Sequence, residues 1–433
     1  MGRAAAGRGH PLRAPSYGGQ MSTGTPSPTS VIAVTGGHVV PVSGPAIEGG
    51  VVLIEDGRIV AVGPDVDVPA GAEVIDATGR WVLPGFVEGH GHVGISEEGV
   101  GIEGNDVNEM TGPDMAAVRA IDAIDIDDEG FRDALSGGVT SIVVKPGSGN
   151  PIGGQSVAIK AWGGRTVDEQ VISDSVSVKS ALGENPKRVY REKKQLPSTR
   201  LGVALVIREA FTRAQDYRAA RAAAAAKDEP FSVDLGLEVL ARVLDGELVW
   251  DQHTHRHDDI ATALRLADEF GYRLVVNHGT EAHKIADVLA ERDVPVIFGP
   301  MLTSRSKVEL RDRAIVNLAT IAAAGVRVAI TTDHPVVPIN FLVHQAALAV
   351  KEGLPRQTAL EALTVNPASF FGLEGRVGAL APGLDADVVI WSGDPLDLAS
   401  RAEHVLIDGV TVYRWDEQAR AGRVVERSER FSR

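Results

Sequence analysis

The chain has 433 residues, 44% of them hydrophobic, a formal net charge of -15 and no cysteine. That length suits a large core, such as a barrel of about 250 residues with a smaller attachment. A diffuse acidic balance argues against nucleic-acid partners, the lack of cysteine excludes disulfides and thiolate chemistry, and no apolar run approaches the roughly 20 residues of a membrane span.

Residues 1–30 are rich in Gly, Pro, Ser and Arg and contain no apolar run of the kind a secretory signal needs. They are expected to be disordered, with Met21 as a candidate start and the cytoplasm as the default location. Residues 31–80 then alternate apolar and polar residues between DG and TG turn signals, as short strands do. The same texture returns in DADVVIWSGDP (385–395) and EHVLIDGVTVYRW (403–415). Residues 31–80 and 375–433 are therefore expected to form one composite β-sandwich from both chain ends.

Between them, residues 81–374 alternate apolar strand-like runs with longer helical patterns. The eight runs are WVLPGFVEGHGH, GVTSIVVKPG, QSVAIKAWG, DSVSVKSALG, ELVWDQHTH, RLVVNHG, VPVIFGP and VRVAITTDHP. Eight β–α repeats with near-continuous apolar strands predict an α/β fold, a (β/α)8 TIM-like barrel whose active groups gather at the C-terminal strand ends. The segment 105–130 reads as a long loop and a solvated helix. The Ala- and Arg-rich 208–230 reads as an exposed helix inserted between barrel strands, or as a lid. Within DQHTHRHDDI (251–260), Asp258 or Asp259 can cap a helix that carries Ile260, Ala263, Leu264, Ala267 and Phe270 on one face and ends at Gly271. Residues 248–278 thus form a βαβ unit with His253 and His278 at its two strand ends.

His90 and His92, in GHGH, lie on one face of a strand and can share one cation; two exposed histidines in a turn is the plainer reading. Their setting, VLPGFVEGHGHVG, resembles the first-strand signature of the amidohydrolase superfamily. The segment LTVNPASFFGLEGRVGALAPGLDADVVIW resembles its closing segment. The resemblance spans about residues 31–415 and is nearest the branch with imidazolonepropionase-like and prolidase-like enzymes, with Glu88 standing where that family generally has Asp. It implies metal ligands at His90, His92, His253, His278 and Asp333. It also places Lys179 where part of the family carries a carboxylated lysine bridging two metals, although a salt-bridged lysine near the rim fits as well. Lys145, Lys160 and Glu184 compete with Lys179.

The implied cofactor is one or two divalent ions, zinc first, with manganese, iron or cobalt also compatible. The implied reaction is hydrolysis of a C–N bond in an amide, cyclic amide or peptide-like small molecule by a metal-activated water, with Asp333 moving the proton. His255 is expected to act on substrate or support His253, or merely to line the mouth; His257 has left the strand face, and His283 falls on a following helix. Arg256 can receive a substrate carboxylate or pair with Asp258. Tyr190 and Arg191 can reach the pocket or stay on the surface, and His334 can face substrate or be structural. The glycines of PGSGNPIGGQ read as a turn. Deamination on the same site, with Glu281 as the added carboxylate, and a metal-free scaffold are the competing functions. No membrane or nucleic-acid partner is expected, and a homo-oligomer is compatible with the sequence.

Overall fold

The computed structural model describes residues 31–425. The disorder expected for residues 1–30 lies outside that range, as do residues 426–433. The leading strands are β1 (Val31–Val39), β2 (Ile47–Glu55), β3 (Arg58–Gly63), β4 (Glu73–Asp76) and β5 (Trp81–Pro84). Barrel strands follow: β6 (Phe86–Gly91), β7 (Val139–Val144), β8 (Ile152–Lys160), β9 (Val171–Ala181), β10 (Val249–Thr254), β11 (Leu274–His278), β12 (Val296–Phe298) and β13 (Val328–Ile330). The chain ends with β14 (Val388–Trp391), β15 (Ala402–Ile407), β16 (Val410–Asp416) and β17 (Ala421–Val424).

Strands from both chain ends make one continuous nine-stranded sheet, not two separate ones, in the order β17-β16-β15-β14-β5-β1-β2-β3, with β4 also on β1. Two DG turns shape its hairpins. Asp56 and Gly57 have φ of 46° and 78°, and Asp408 and Gly409 have 48° and 73°, the left-handed pair that a tight two-residue hairpin requires. Antiparallel β14 and β5 join the distant ends, pairing Val388 with Pro84 and Trp391 with Trp81.

β5 passes directly into the barrel through Gly85, where an added Cβ would lie 2.0 Å from Thr140 Oγ1. The eight expected runs all supply strands to a second sheet, ordered from β6 to β13 in sequence. One expectation fails. β8 runs antiparallel to both β7 and β9, so the barrel is not a strict (β/α)8 repeat. The links 145–151 and 161–170 are too short for the crossover that parallel strands need, on the order of a dozen residues.

Alternation along the strands sorts the core. Val87, Val143, Ala158, Val176, Val249, Val275, Ile297 and Ala329, one from each barrel strand, meet inside the barrel and pack with Phe370 and Phe371. Their neighbours Ile142, Ile159, Val178, Trp250 and Val276 face the outer core instead. That outer layer is covered by helices including α1 (Glu129–Ser136), α2 (Glu184–Glu192), α3 (Arg200–Ala226), α4 (Leu235–Leu244) and α5 (His257–Phe270). The acidic loop after β6 holds only two short helical turns; its helix, α1, starts at Glu129 and is half core, burying Phe131 and Leu135.

The Ala-rich segment is neither a simple surface insertion nor a lid. α3 begins at Arg200, and its first half is core: Phe211 packs against Trp250, Phe270 and Tyr272 with ring centroids 4.7, 5.2 and 4.9 Å away. Only its last two turns are mostly exposed. Similarly, α5 starts two or three residues earlier than expected. Arg256 is its N-cap without a side-chain bond, Asp258 and Asp259 sit in the first turn, and Gly271 (φ 77°) ends it. Among the described residues, no helix is long and apolar enough to cross a membrane.

Phe211→Ala should remove the aromatic contact that fastens α3 to β10. A loss of about 3–5 kcal/mol is expected in urea unfolding; a loss under about 1 kcal/mol would show that α3 is dispensable to the core.

Candidate metal centre

At the C-terminal rim, strand direction and alternation bring seven polar side chains into one space. His90 and His92 come from the end of β6, Lys179 from β9, His253 and His255 from β10, His278 from β11, and Asp333 from just after β13. Two triads form, His90–His92–Asp333 and His253–His255–His278, each with its donor atoms within 4.8 Å of one another. His255 therefore stands beside His253 and His278 as a third donor, rather than only behind them or towards the mouth.

Distances and protonation together define what the first triad can hold. His90 Nε2 and His92 Nε2 lie 3.1 and 3.3 Å from Asp333 Oδ1. Nδ1 of His92 lies 2.7 Å from the Lys145 carbonyl, and that of His278 lies 2.8 Å from the Gly299 carbonyl. A carbonyl only accepts, so in the neutral rings Nδ1 carries the proton and Nε2 presents a lone pair inward. His90 is arranged alike, with Nδ1 2.8 Å from Asn277 Oδ1. Burial holds the His90, His253 and His255 rings well below their ordinary pKa and brings His278 to about 4. Neutral nitrogens aimed at a carboxylate repel it unless a cation lies between them. A tetrahedral ion with bonds of ~2.0–2.1 Å spaces its donors ~3.3–3.4 Å apart, close to what is seen. His253 Nδ1, buried with no hydrogen-bond partner, offers a further donor. The residues fit a divalent cation.

A buried polar network holds these ligands. Asn277 Nδ2 donates to Asp251, which also accepts from Lys145 Nζ and from Ser177 Oγ. Glu88 works at the seam between β6 and β13: it accepts from His90 N (3.0 Å), Thr332 N (2.9 Å) and Thr332 Oγ1 (2.7 Å), and burial raises its pKa to about 7. Thr331 Oγ1 donates to the His90 carbonyl and accepts from Asp333 N. His278 and Asp333 have left-handed φ of 70° and 53°, a conformation unusual outside glycine that here turns both side chains inward.

Lys179 is buried, with Nζ 3.0 Å from His90 Nε2, and burial brings its pKa down to about 7. The competing lysines are committed elsewhere: Lys145 to Asp251, and Lys160 to Asp385, Asp387 and Asp408 at the junction of the two sheets. Glu184 starts α2 and its amide donates to Glu309.

Three expected substrate contacts are placed away from the site. Arg256 makes two hydrogen bonds of 2.8 Å to Asp258 at the surface, because both belong to the same first helical turn. Tyr190 is fully buried; its hydroxyl donates to the Gly112 carbonyl and accepts from Asn150, fastening the loop after β6. His334 is also fully buried, with Nδ1 accepting from Ile339 N, because it points opposite to its inward-facing neighbour Asp333. His257 pairs with Glu281 at 2.7 Å, and Glu281 also meets Lys284. Against the effect of burial, those contacts hold Glu281 down to about 2. His283 is half-buried on the turn Ala282–Ile285.

A cavity of about 480 Å³ opens over the triads, lined by His92, His253, His255 and Asp333 below and by Asn108, Ser148, Asn185, Arg188, Thr303, Ser306 and Lys307 around it. The sequence reading missed most of this wall. Arg188 and Tyr190 lie ~200° apart around α2, so the residue facing the cavity is the arginine, and helical phase was the available signal. Nothing in the loop 299–310 marked Lys307.

Residues 206–413 match the amidohydrolase family profile. A solved amidohydrolase from Thermotoga maritima MSB8 is 45% identical, with a TM-score of 0.86 over 88% of this chain and 100% of its own. Amidohydrolase tasK of Hapsidospora irregularis is 30% identical over 84% of this chain, which spans only 40% of that protein's length. An imidazolonepropionase of Acidiphilium cryptum (strain JF-5) is 28% identical over 81% of this chain and 89% of its own.

Asn277→Ala removes the acceptor that orients His90. We expect zinc affinity, read by competition with a chromophoric chelator, to fall about 10–100-fold while far-UV circular dichroism stays unchanged. Wild-type affinity would remove Asn277 from that role.

Proposed function

Since the chain belongs to the amidohydrolase family, we propose that it is a metal-dependent hydrolase cleaving a C–N bond in an amide, cyclic amide or peptide-like small molecule. The observation that carries this reading is the convergence of His90 Nε2, His92 Nε2 and Asp333 Oδ1 beneath an open cavity. A divalent cation, zinc first, supplies a Lewis acid there and lowers the pKa of its water toward ~7.

His90, His92 and Asp333 would hold one ion, and His253 with His278 would hold a second. His255, fixed through Nδ1 to Thr280 Oγ1 at 2.8 Å, serves as a further ligand or as a partner of the substrate carbonyl. An ammonium at Lys179 would oppose cations so near. Addition of CO2 to its neutral amine releases one proton and leaves a carbamate, an anionic oxygen donor between the triads. Asp333 Oδ2 accepts the proton of the attacking water and delivers it to the leaving nitrogen, whose departure breaks the C–N bond. Deamination drew on Glu281, which is instead engaged with His257 and Lys284.

Asp333→Asn should retain metal, measured by elemental analysis, yet lose about 10²–10⁴-fold in kcat on any substrate found in a screen of dipeptides, N-acyl amino acids and cyclic amides. Wild-type turnover in that variant would contradict the assigned proton transfer. Chelation should abolish activity and zinc or manganese should restore it. Intact-mass analysis of native protein in bicarbonate should show one added CO2 that is absent in Lys179→Met.

A further inference from the structure

Two cations in the cavity wall lack a matching anion. Lys307 is 19% exposed, and its Nζ has only Asn185 Oδ1 at 3.4 Å and Glu309 Oε2 at 4.0 Å. Glu309 is shared: its Oε1 accepts from Arg200 Nη2 and from Glu184 N, each at 2.8 Å, while its Oε2 faces Lys307 only at the long limit of an ion pair. Arg188 is exposed to the same cavity and makes no ion pair or hydrogen bond among the described residues. Among the described residues, the only carboxylate lining the cavity is Asp333, at its floor with the histidines. A chain of net charge -15 thus turns a positive wall toward its candidate reaction centre. Burial lowers the Lys307 pKa and Glu309 offsets only part of that effect, so a closer anion beside this ammonium is favoured.

We propose that Lys307 and Arg188 form a carboxylate subsite, so that the substrate is an anion whose carboxylate lies on the side of the scissile C–N bond away from the metals. Glu309 offsets part of the Lys307 charge, which matches the wall to a monoanion. Asn185 couples the subsite to the centre, because its Nδ2 donates to Ser148 Oγ at 2.8 Å and lies 3.5 Å from His253 Nε2. A carboxylate on Lys307 is thereby held at a fixed reach from the metal ligands, which selects substrates by the spacing between carboxylate and scissile bond. The surface pair Arg256–Asp258 cannot supply this function, since its guanidinium is already bidentate to a carboxylate.

This inference deepens the hydrolase reading and is tested by binding, apart from turnover. The zinc-loaded Asp333→Asn protein is titrated calorimetrically with a panel of N-acetyl amino acids and with their neutral C-terminal amides. At least one acid should bind about tenfold or more tighter than its amide. That ratio should collapse toward one when Lys307→Met or Arg188→Met is added, and should largely survive Lys307→Arg. No acid preferred more than about twofold over its amide, or a preference unchanged in Lys307→Met and in Arg188→Met, overturns the subsite. Acid preference in binding without hydrolysis by the wild type of any N-acyl amino acid, dipeptide or cyclic amide sinks the hydrolase reading and leaves the subsite standing.

Discussion

The seam between the first and last barrel strands is the constraint on which the centre depends. β6 and β13 share no regular ladder, yet two members of the first triad come from the end of β6 and the third follows β13. What holds them within 3.3 Å is a set of specific bonds across the gap: Glu88 to Thr332, Thr331 to the His90 carbonyl, and His92 N to the His334 carbonyl at 3.0 Å. Glu88 is longer by one methylene than the aspartate the family usually carries there. Its two oxygens satisfy donors on both sides of the seam. A buried carboxylate raised to about 7 is expensive, and its retention is explained by the donors it serves.

Above the seam the molecule is layered by chemistry. An apolar plug, one residue from each strand, fills the barrel interior. Above it lies a buried polar layer of Lys145, Asp251, Ser177 and Asn277, bonded to one another. Over that stand the imidazoles, and above them the cationic wall of the cavity. Each layer fixes the next: the network sets the His90 ring, the rings set where a cation can sit, and Asn185 relates that position to Lys307.

Much of this order was legible in the sequence where strand physics governs. A period of two, apolar runs and C-terminal strand ends located all eight strands and the histidines that converge. Periodicity carries no sign of direction, however; the reversal of β8 was signalled only by the shortness of the links on either side of it. The expected roles of Tyr190 and His334 failed on phase: each is one or two positions from a residue that does face the cavity, and the neighbour points the other way. Lys307 lay in a loop without periodic pattern, where only tertiary structure decides which way a side chain turns.

The nine-stranded sheet has a temporal consequence. β5 leads straight into the barrel, but its partner β14 is encoded about three hundred residues later. During synthesis the β5 edge and the β6 seam must stay open while nearly the whole barrel is made. Asp333 must emerge before the first triad exists, and the three aspartates that neutralise buried Lys160 emerge later still. Such long-range pairings are slow to form, and an unpaired edge is a point of misassociation. The β5 edge therefore stays without its β14 partner until late in synthesis, and the first triad is completed only after most of the barrel has been made.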